Sequence, residues 1–209
     1  MQHQCDIVSV GGAVTGSVLA LALSSATQHQ INIAIVEKAV PNYAEQGGFD
    51  ARSIALSYGS LQKLKAITPL DQGNLNDLID SIATPIEQIH VSDQTHFGKT
   101  RIKASELKLT KLGMVVELAK LGEKLAKMIA AQPNIHIFCP DTVEQLERDS
   151  HECRITLASQ QQLKAQLLVA ADGIQSHIAQ QCGVETVLLK DYQQSAIVAN
   201  VELVEAHHN

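Results

Sequence analysis

The stretch IVSVGGAVTG, residues 7–16, decides the fold of this chain. A run of apolar residues meets a glycine-rich turn, and an apolar helical segment over residues 17–24 follows. This order is typical of a buried first strand, a tight turn and a helix whose N-terminus points its free N–H groups at a pyrophosphate. A second apolar run ends about twenty residues later in Glu37, where dinucleotide folds place a carboxylate for a ribose hydroxyl pair. The stretch therefore predicts a dinucleotide-binding site.

The positions of the glycine motif meet different steric demands. Gly11 is expected to make the turn, and Gly16 is expected to let the helix pack closely on the sheet. Gly12 lies between them in the predicted loop. The middle position of the motif is Ala13, where the backbone should approach the pyrophosphate most closely. We expect its methyl group to push the phosphates outward or to shift the loop.

The composition indicates an α/β protein with a sizeable core. The chain has 209 residues, of which 45% are hydrophobic and 3% aromatic, so the interior must be built from Leu, Ile, Val and Ala. A formal charge of -6, with no basic stripe, argues against a nucleic-acid partner. The scattered cysteines and histidines have no metal-ligand spacing, and no apolar run reaches membrane-spanning length.

The segment after Glu37 departs from an ordinary nicotinamide dehydrogenase, which would continue directly with a helix and a third parallel strand. We predict a loop over residues 41–48 and a helix over 49–65, followed by chain breaks at Pro69 and Gly73. Two β-like runs, residues 86–92 and 100–103, then indicate an excursion into a second domain.

The nucleotide fold is predicted to resume with an amphipathic helix over residues 115–131, whose leucine stripe we interpret as core packing. The further predicted elements are a strand over 134–138, a hairpin-like pair over 143–146 and 153–157, a buried strand over 167–171 and a helix over 174–182. A last β-like run covers 196–204.

Four motifs carry a resemblance to a known family: GGAVTG at 11–16, Glu37, FDARSIAL at 49–56 and AADG at 170–173. In this order and spacing they resemble the class A flavoprotein aromatic hydroxylases. Among these they are most similar to the bacterial 2-polyprenyl-6-methoxyphenol hydroxylase family of ubiquinone biosynthesis, over nearly the whole chain. The resemblance implies a Rossmann-like FAD/NAD(P)-binding α/β domain of the glutathione-reductase/aromatic-hydroxylase type, with part of a β-rich substrate domain. We expect the FAD-binding domain to comprise residues 1–72 and 106–183, and the partial substrate-domain sheet to comprise 73–105 and 184–209.

The resemblance also implies which residues bind the cofactor. Gly11 and Gly16 would frame the FAD pyrophosphate, with Gly12 and Ala13 between them. The other implied cofactor-binding residues are Glu37 at the adenosine ribose, Arg52 on the side toward the flavin, Val143 near the adenine through its backbone, and Asp172 and Gly173, which the family associates with FAD and NAD(P)H. No residue of the chain is assigned as catalytic.

The activity implied for the intact protein is FAD-dependent hydroxylation of a polyprenylated phenol with NAD(P)H and O2. The family's third flavin motif, a Gly-Asp pair, would follow well beyond residue 209. We therefore expect an N-terminal fragment that is inactive alone and holds FAD weakly. The implied location is cytoplasmic, with peripheral contact at the inner face of the plasma membrane and with other ubiquinone-synthesis proteins. Two alternatives stay open: a flavin dehydrogenase or reductase without oxygen transfer, and a non-catalytic scaffold module.

Overall fold

A computed structural model describes residues 2–41 and 52–197, together with residues 199, 201 and 204. Two compact units are present: residues 2–41, 68–72 and 122–197 form the first, and residues 52–67 and 73–121 form the second.

The strands and helices follow one another in this order: β1 (Gln2–Gln4), β2 (Ile7–Val10), α1 (Val14–Ala26), β3 (Ile33–Val36), β4 (Ser53–Ser57), α2 (Tyr58–Leu64), α3 (Leu75–Asp80), β5 (Thr84–Ile86), β6 (Gln88–Ser92), β7 (Lys99–Lys103), β8 (Gly113–Glu117), α4 (Leu118–Ala130), β9 (Ile135–Phe138), β10 (Val143–Arg148), β11 (Cys153–Leu157), β12 (Gln162–Ala165), β13 (Leu167–Ala170) and α5 (His177–Gln181). A 3₁₀ turn covers Ala104–Leu107.

The first unit is built on a parallel sheet with the strand order β13-β2-β3-β9. In chain order these strands are β2, β3, β9 and β13, the first to the fourth of the sheet. Read from β9 across the sheet, their order is 3-2-1-4, which is the order of the dinucleotide-binding fold. The residues of β3 are at most 1% exposed, as expected of a parallel strand that is covered on both faces. The predicted α/β fold class, the strand before the glycine motif and the strand before Glu37 are confirmed.

A second sheet of the first unit has the order β1-β12-β11-β10. Its antiparallel pair of β10 and β11 confirms the hairpin that the sequence indicated. One core cluster joins this sheet to the parallel one and includes Val8, Val36, Ile155, Leu157 and Leu163. This packing fixes the start of β10 beside the ends of β2 and β3.

The second unit contains the antiparallel sheet β4-β8-β5 and the separate pair β6-β7. The helix predicted over residues 49–65 is confirmed only from Tyr58 to Leu64 and is wrong over residues 53–57, which form a strand. Residues 49–51 lie outside the described part. Exposure alternates along β4, which pairs along its whole length with β8. This long-range pairing overrides the local helical spacing.

The same pairing corrects the start of the next helix, which was predicted at residue 115. Val115 and Val116 belong to β8, which lies between β4 and β5, and α4 therefore begins at Leu118. The predicted core stripe is confirmed at Leu121, Leu125 and Met128, which are at most 3% exposed.

The two predicted β runs of the excursion form β6 and β7, which pair with each other outside the parallel sheet. Among the described residues of the run 196–204, none lies in a strand. The helix predicted over 174–182 is shorter than expected, because Ser176 caps its start by accepting a hydrogen bond from the Ala179 N–H. The proposed domain boundaries stay a prediction. The compact units place residues 52–67 and 106–121 with the β-rich segment rather than with the parallel sheet.

Candidate dinucleotide-binding site

Gly11 and Gly16 have no room for a side chain. Gly11 has φ +103°, and a Cβ atom there would lie 2.3 Å from the Ala171 carbonyl oxygen. A Cβ atom on Gly16 would lie 1.8 Å from the carbonyl oxygen of Gly11. The turn and the close helix contact that the sequence predicted for these two glycines are therefore both present.

Gly12 has a function that the sequence reasoning missed. Its N–H donates a hydrogen bond of 2.6 Å to Glu37 Oε2, and the Ala39 N–H donates one of 3.1 Å to Oε1. A Cβ atom on Gly12 would approach the Glu37 Cβ to 3.0 Å. The small residue at position 12 thus seats the carboxylate at the end of β3 against the glycine loop. In the sequence, the second glycine directly after Gly11 was the feature that could have indicated this contact with Glu37.

The N-terminus of α1 is not capped by a side chain. Its N-cap residue, Ala13, has no side-chain acceptor, and no acidic residue lies in the first turn. The loop is held instead by the Ser17 hydroxyl, which donates a hydrogen bond of 2.7 Å to the Gly12 carbonyl. The first N–H groups of the helix can therefore serve an anionic group, which the helix dipole also favours.

A cleft of about 430 Å³ opens at the carboxyl edge of the parallel sheet, where β2 and β13 lie side by side. This is the point at which the strand order reverses, and such points are the usual ligand sites of open α/β sheets. Among the predicted site residues, the cleft brings together Gly11, Val143 and Asp172. Further lining residues that the sequence reasoning missed are Lys38, Asp141, Thr142, Gln175 and His177.

Asp172 presents a carboxylate that is only partly satisfied. Its Oδ2 accepts a hydrogen bond of 3.2 Å from the Ile178 N–H at the start of α5, while Oδ1 is buried without a hydrogen-bond partner among the described residues. Burial raises the pKa of this carboxyl, but hydrogen bonds from the Ser176 hydroxyl and the Ile178 N–H outweigh burial and hold the pKa below its usual value. The carboxylate is therefore ionised at neutral pH and can accept a further donor.

Gly173 and Arg52 complete the set of predicted site residues. Gly173 has φ +88°, a conformation that favours glycine, and a Cβ atom there would meet no atom within 4 Å. Arg52 belongs to the second unit, where its carbonyl accepts a hydrogen bond of 2.8 Å from the Leu118 N–H. A role of Arg52 beside the flavin stays a prediction.

Within the part of the chain that the structure describes, no helix has the length and apolar character to cross a bilayer. No cluster of three or more histidine, cysteine, aspartate or glutamate residues there could hold a metal ion.

Curated proteins similar to this chain include several of ubiquinone biosynthesis. The ubiquinone hydroxylase UbiL of Rhodospirillum rubrum is 27% identical over 207 residues, which cover 97% of this chain and 44% of that protein. The 3-demethoxyubiquinol 3-hydroxylase of Escherichia coli is 26% identical over 198 residues, which cover 94% of this chain and 48% of that protein. The chain thus spans about half the length of these relatives. No family model matches it.

Solved structures with a similar fold include FAD-dependent enzymes. PqsL of Pseudomonas aeruginosa, described as a probable FAD-dependent monooxygenase, has a TM-score of 0.72 at 16% identity, over 91% of this chain and 48% of that one. The p-nitrophenol 4-monooxygenase PnpA of Pseudomonas putida has a TM-score of 0.70 at 16% identity, over 87% of this chain and 44% of that one. Over nearly its whole length, this chain is therefore similar to curated ubiquinone hydroxylases and has the α/β fold found in FAD-dependent monooxygenases.

Proposed function

We propose that this chain is the FAD-binding part of a hydroxylase that uses NAD(P)H and O2 to hydroxylate a polyprenylated phenol in ubiquinone biosynthesis. One observation carries the proposal: Gly11, Val143 and Asp172 converge on one cleft at the switch point of the sheet. The similarity to ubiquinone hydroxylases supports the reaction and the class of substrate.

The residues present fit FAD. The tight approach of Gly16 to the turn and the uncapped start of α1 suit a pyrophosphate, and the carboxylate of Glu37 beside the loop suits the adenosine ribose. Val143 would lie at the adenine, and Asp172 with Gly173 would lie at the part of the cofactor that NAD(P)H approaches. Arg52 would contact the flavin side.

The bound cofactor would supply the redox chemistry, in which two electrons from NAD(P)H and one O2 give one hydroxyl group on the phenol ring and one water. The residues of this chain would bind and orient the cofactor. A polyprenylated substrate partitions into lipid, which supports a cytoplasmic protein with peripheral contact at the inner face of the plasma membrane. Other ubiquinone-synthesis proteins are further proposed partners.

The first test is calorimetric titration of the chain with ADP, FAD and FMN. ADP contains the adenosine and pyrophosphate groups that the cleft is proposed to bind, whereas FMN lacks the adenosine. We expect binding of ADP and FAD but not of FMN. The variant Glu37→Gln should weaken ADP binding by about tenfold, the equivalent of one lost hydrogen bond to a charged group. Glu147→Gln, at an exposed position of β10, is the matched control and should bind ADP as the unchanged chain does.

The second test uses the longest protein that the gene encodes, expressed in Escherichia coli that lacks its 3-demethoxyubiquinol 3-hydroxylase. We expect restored ubiquinone and, in the purified protein, hydroxylation of a polyprenylated phenol that consumes NAD(P)H and O2. Flavin reduction by NAD(P)H without a hydroxylated product would favour the dehydrogenase or reductase alternative. Failure to bind either FAD or ADP would favour the scaffold alternative.

A further inference from the structure

Asp141 lies at the edge of the cleft, between the end of β9 and the start of β10. It is 8% exposed, and it lines the cleft together with Thr142 and Val143. A buried aspartate needs hydrogen-bond donors, because an unpaired buried carboxylate is strongly destabilising. The donors around Asp141 therefore indicate what the residue holds in place.

The donors come from two separate segments. Oδ1 accepts hydrogen bonds of 2.9 Å from the Thr142 N–H and 3.2 Å from the Ser159 N–H, and Oδ2 accepts one of 2.5 Å from the Ser159 hydroxyl. Ser159 belongs to the turn between β11 and β12, so the carboxylate ties this turn to the segment that enters β10. The Ala158 N–H reinforces the link with a hydrogen bond of 2.9 Å to the Thr142 carbonyl.

The backbone of Asp141 extends the link to the end of β3. Its N–H donates a hydrogen bond of 2.8 Å to the carbonyl of Glu37. The carboxylate of Glu37 is in turn held by the Gly12 N–H. One residue thus fixes the segment Thr142–Val143 relative to the carboxylate proposed for the ribose.

From this geometry we propose that Asp141 is a positioning residue for adenine-nucleotide recognition. It holds the backbone at Thr142 and Val143 in the conformation that faces the adenosine end of the ligand, and it does not itself contact the pyrophosphate. The inference rests on the proposed dinucleotide function of the cleft. It adds a residue that determines how tightly the adenosine part is held.

The test compares two probes, ADP and inorganic pyrophosphate, each titrated by calorimetry up to millimolar concentration. Asp141→Ala should weaken ADP binding by about tenfold or more, because the adenosine contacts lose their fixed backbone, whereas pyrophosphate binding should stay within about twofold. Asp141→Asn keeps one acceptor oxygen for the two N–H groups and should keep ADP affinity within about threefold.

Asp149 provides a matched control. Its Oδ1 also accepts two backbone N–H groups, from His151 at 2.7 Å and Glu152 at 3.0 Å, but it is exposed in the turn between β10 and β11 and does not line the cleft. Asp149→Ala should therefore leave the ratio of ADP to pyrophosphate affinity unchanged. Thermal unfolding of each variant separates a loss of folding from a loss of recognition.

The outcomes separate this inference from the proposed function. If the unchanged chain binds neither ADP nor pyrophosphate, the proposed function fails and the positioning role fails with it. If the unchanged chain binds ADP but Asp141→Ala binds it equally well, only the positioning role is refuted. An equal loss of ADP and pyrophosphate binding in folded Asp141→Ala would also refute it, because the effect would not be confined to the adenosine end.

Discussion

The substitution Gly16→Ala tests the close packing on which the cleft depends. A Cβ atom at this position would lie 1.8 Å from the Gly11 carbonyl oxygen, 3.0 Å from its carbonyl carbon and 3.2 Å from the Ser9 hydroxyl oxygen. The nearest obstacle is backbone, so it cannot be relieved by rotating a side chain. The first turn of α1 would have to move away from the glycine loop.

The loss of stability in Gly16→Ala can be estimated from the 1.8 Å distance to the Gly11 carbonyl oxygen. Contacts of a Cβ atom below 3.0 Å are essentially not found, so the helix must shift by about 1 Å or more at this point. Forcing an extra methyl group into a well-packed site costs about 1–3 kcal/mol, and a backbone obstacle places Gly16→Ala at or above the upper end of this range. Because the shift also moves the uncapped N–H groups of α1, the affinity for ADP should fall as well.

Urea unfolding followed by circular dichroism measures the loss of unfolding free energy, and calorimetry measures ADP binding. Gly98→Ala is the matched control, because a Cβ atom on Gly98 would meet nothing within 4 Å. Its unfolding free energy should change by less than about 0.5 kcal/mol. Equal stability of the Gly16→Ala and Gly98→Ala variants would refute the close approach of α1 to the turn.

Three further predictions concern the cofactor and two titrating groups. The chain of 209 residues should hold FAD with a Kd weaker than about 10 µM, and a yellow preparation that retains stoichiometric FAD through gel filtration would contradict this. Burial, with the charge of Asp6 adding to it, raises the pKa of the Cys5 thiol to about 11. The unfolded chain therefore releases this proton first, and the unfolding free energy should fall as the pH rises from about 9 to 11. Cys5→Ala should flatten this dependence in denaturant titrations; an unchanged slope would exclude Cys5 as its source. The lowered pKa of Asp172 makes the unfolding free energy depend on pH in the opposite direction. The carboxylate stabilises the fold above the pKa of the unfolded chain, and this contribution is lost as the pH falls below about 4. Asp172→Asn should remove this acid-side slope, and equal slopes in the two proteins would show that other carboxyl groups cause it.

The part of the fold that the sequence predicted well depends on local constraints. An apolar strand, a glycine turn and a helix follow one another within residues 7–26, and a Cβ atom on Gly11 or Gly16 would meet a nearby backbone atom. The prediction was wrong at residues 53–57, where Ile54 shares a helical spacing with Leu61 and Leu64. These residues form a strand because their backbone groups pair with β8, about sixty residues later in the chain. Such a partner leaves no signal in the local spacing.

The candidate site also contains residues that the local sequence could indicate and one that depends on a distant partner. Gly11 and Glu37 were identified because each belongs to a motif whose chemistry can be read from neighbouring residues, whereas Asp172 was implied only by the family resemblance. Asp141 was not singled out as a site residue, since its carboxylate is satisfied by Ser159, which the hairpin of β10 and β11 brings close. A lone aspartate before a strand predicts only a turn.

The hydrogen bonds around Glu37 explain why the contacts proposed for the ribose at Glu37 and for the adenine at Val143 should respond together to substitution. The side chain of Glu37 is held by the N–H of Gly12, while its carbonyl is held by the N–H of Asp141. A movement of the glycine loop therefore reaches the segment before β10 through a single residue. Effects of substitutions at positions 12 and 141 on ADP affinity should consequently be non-additive, as is usual for residues that share one hydrogen-bond network. Since both contacts lie within the first unit, this coupling is a property of the parallel-sheet unit itself.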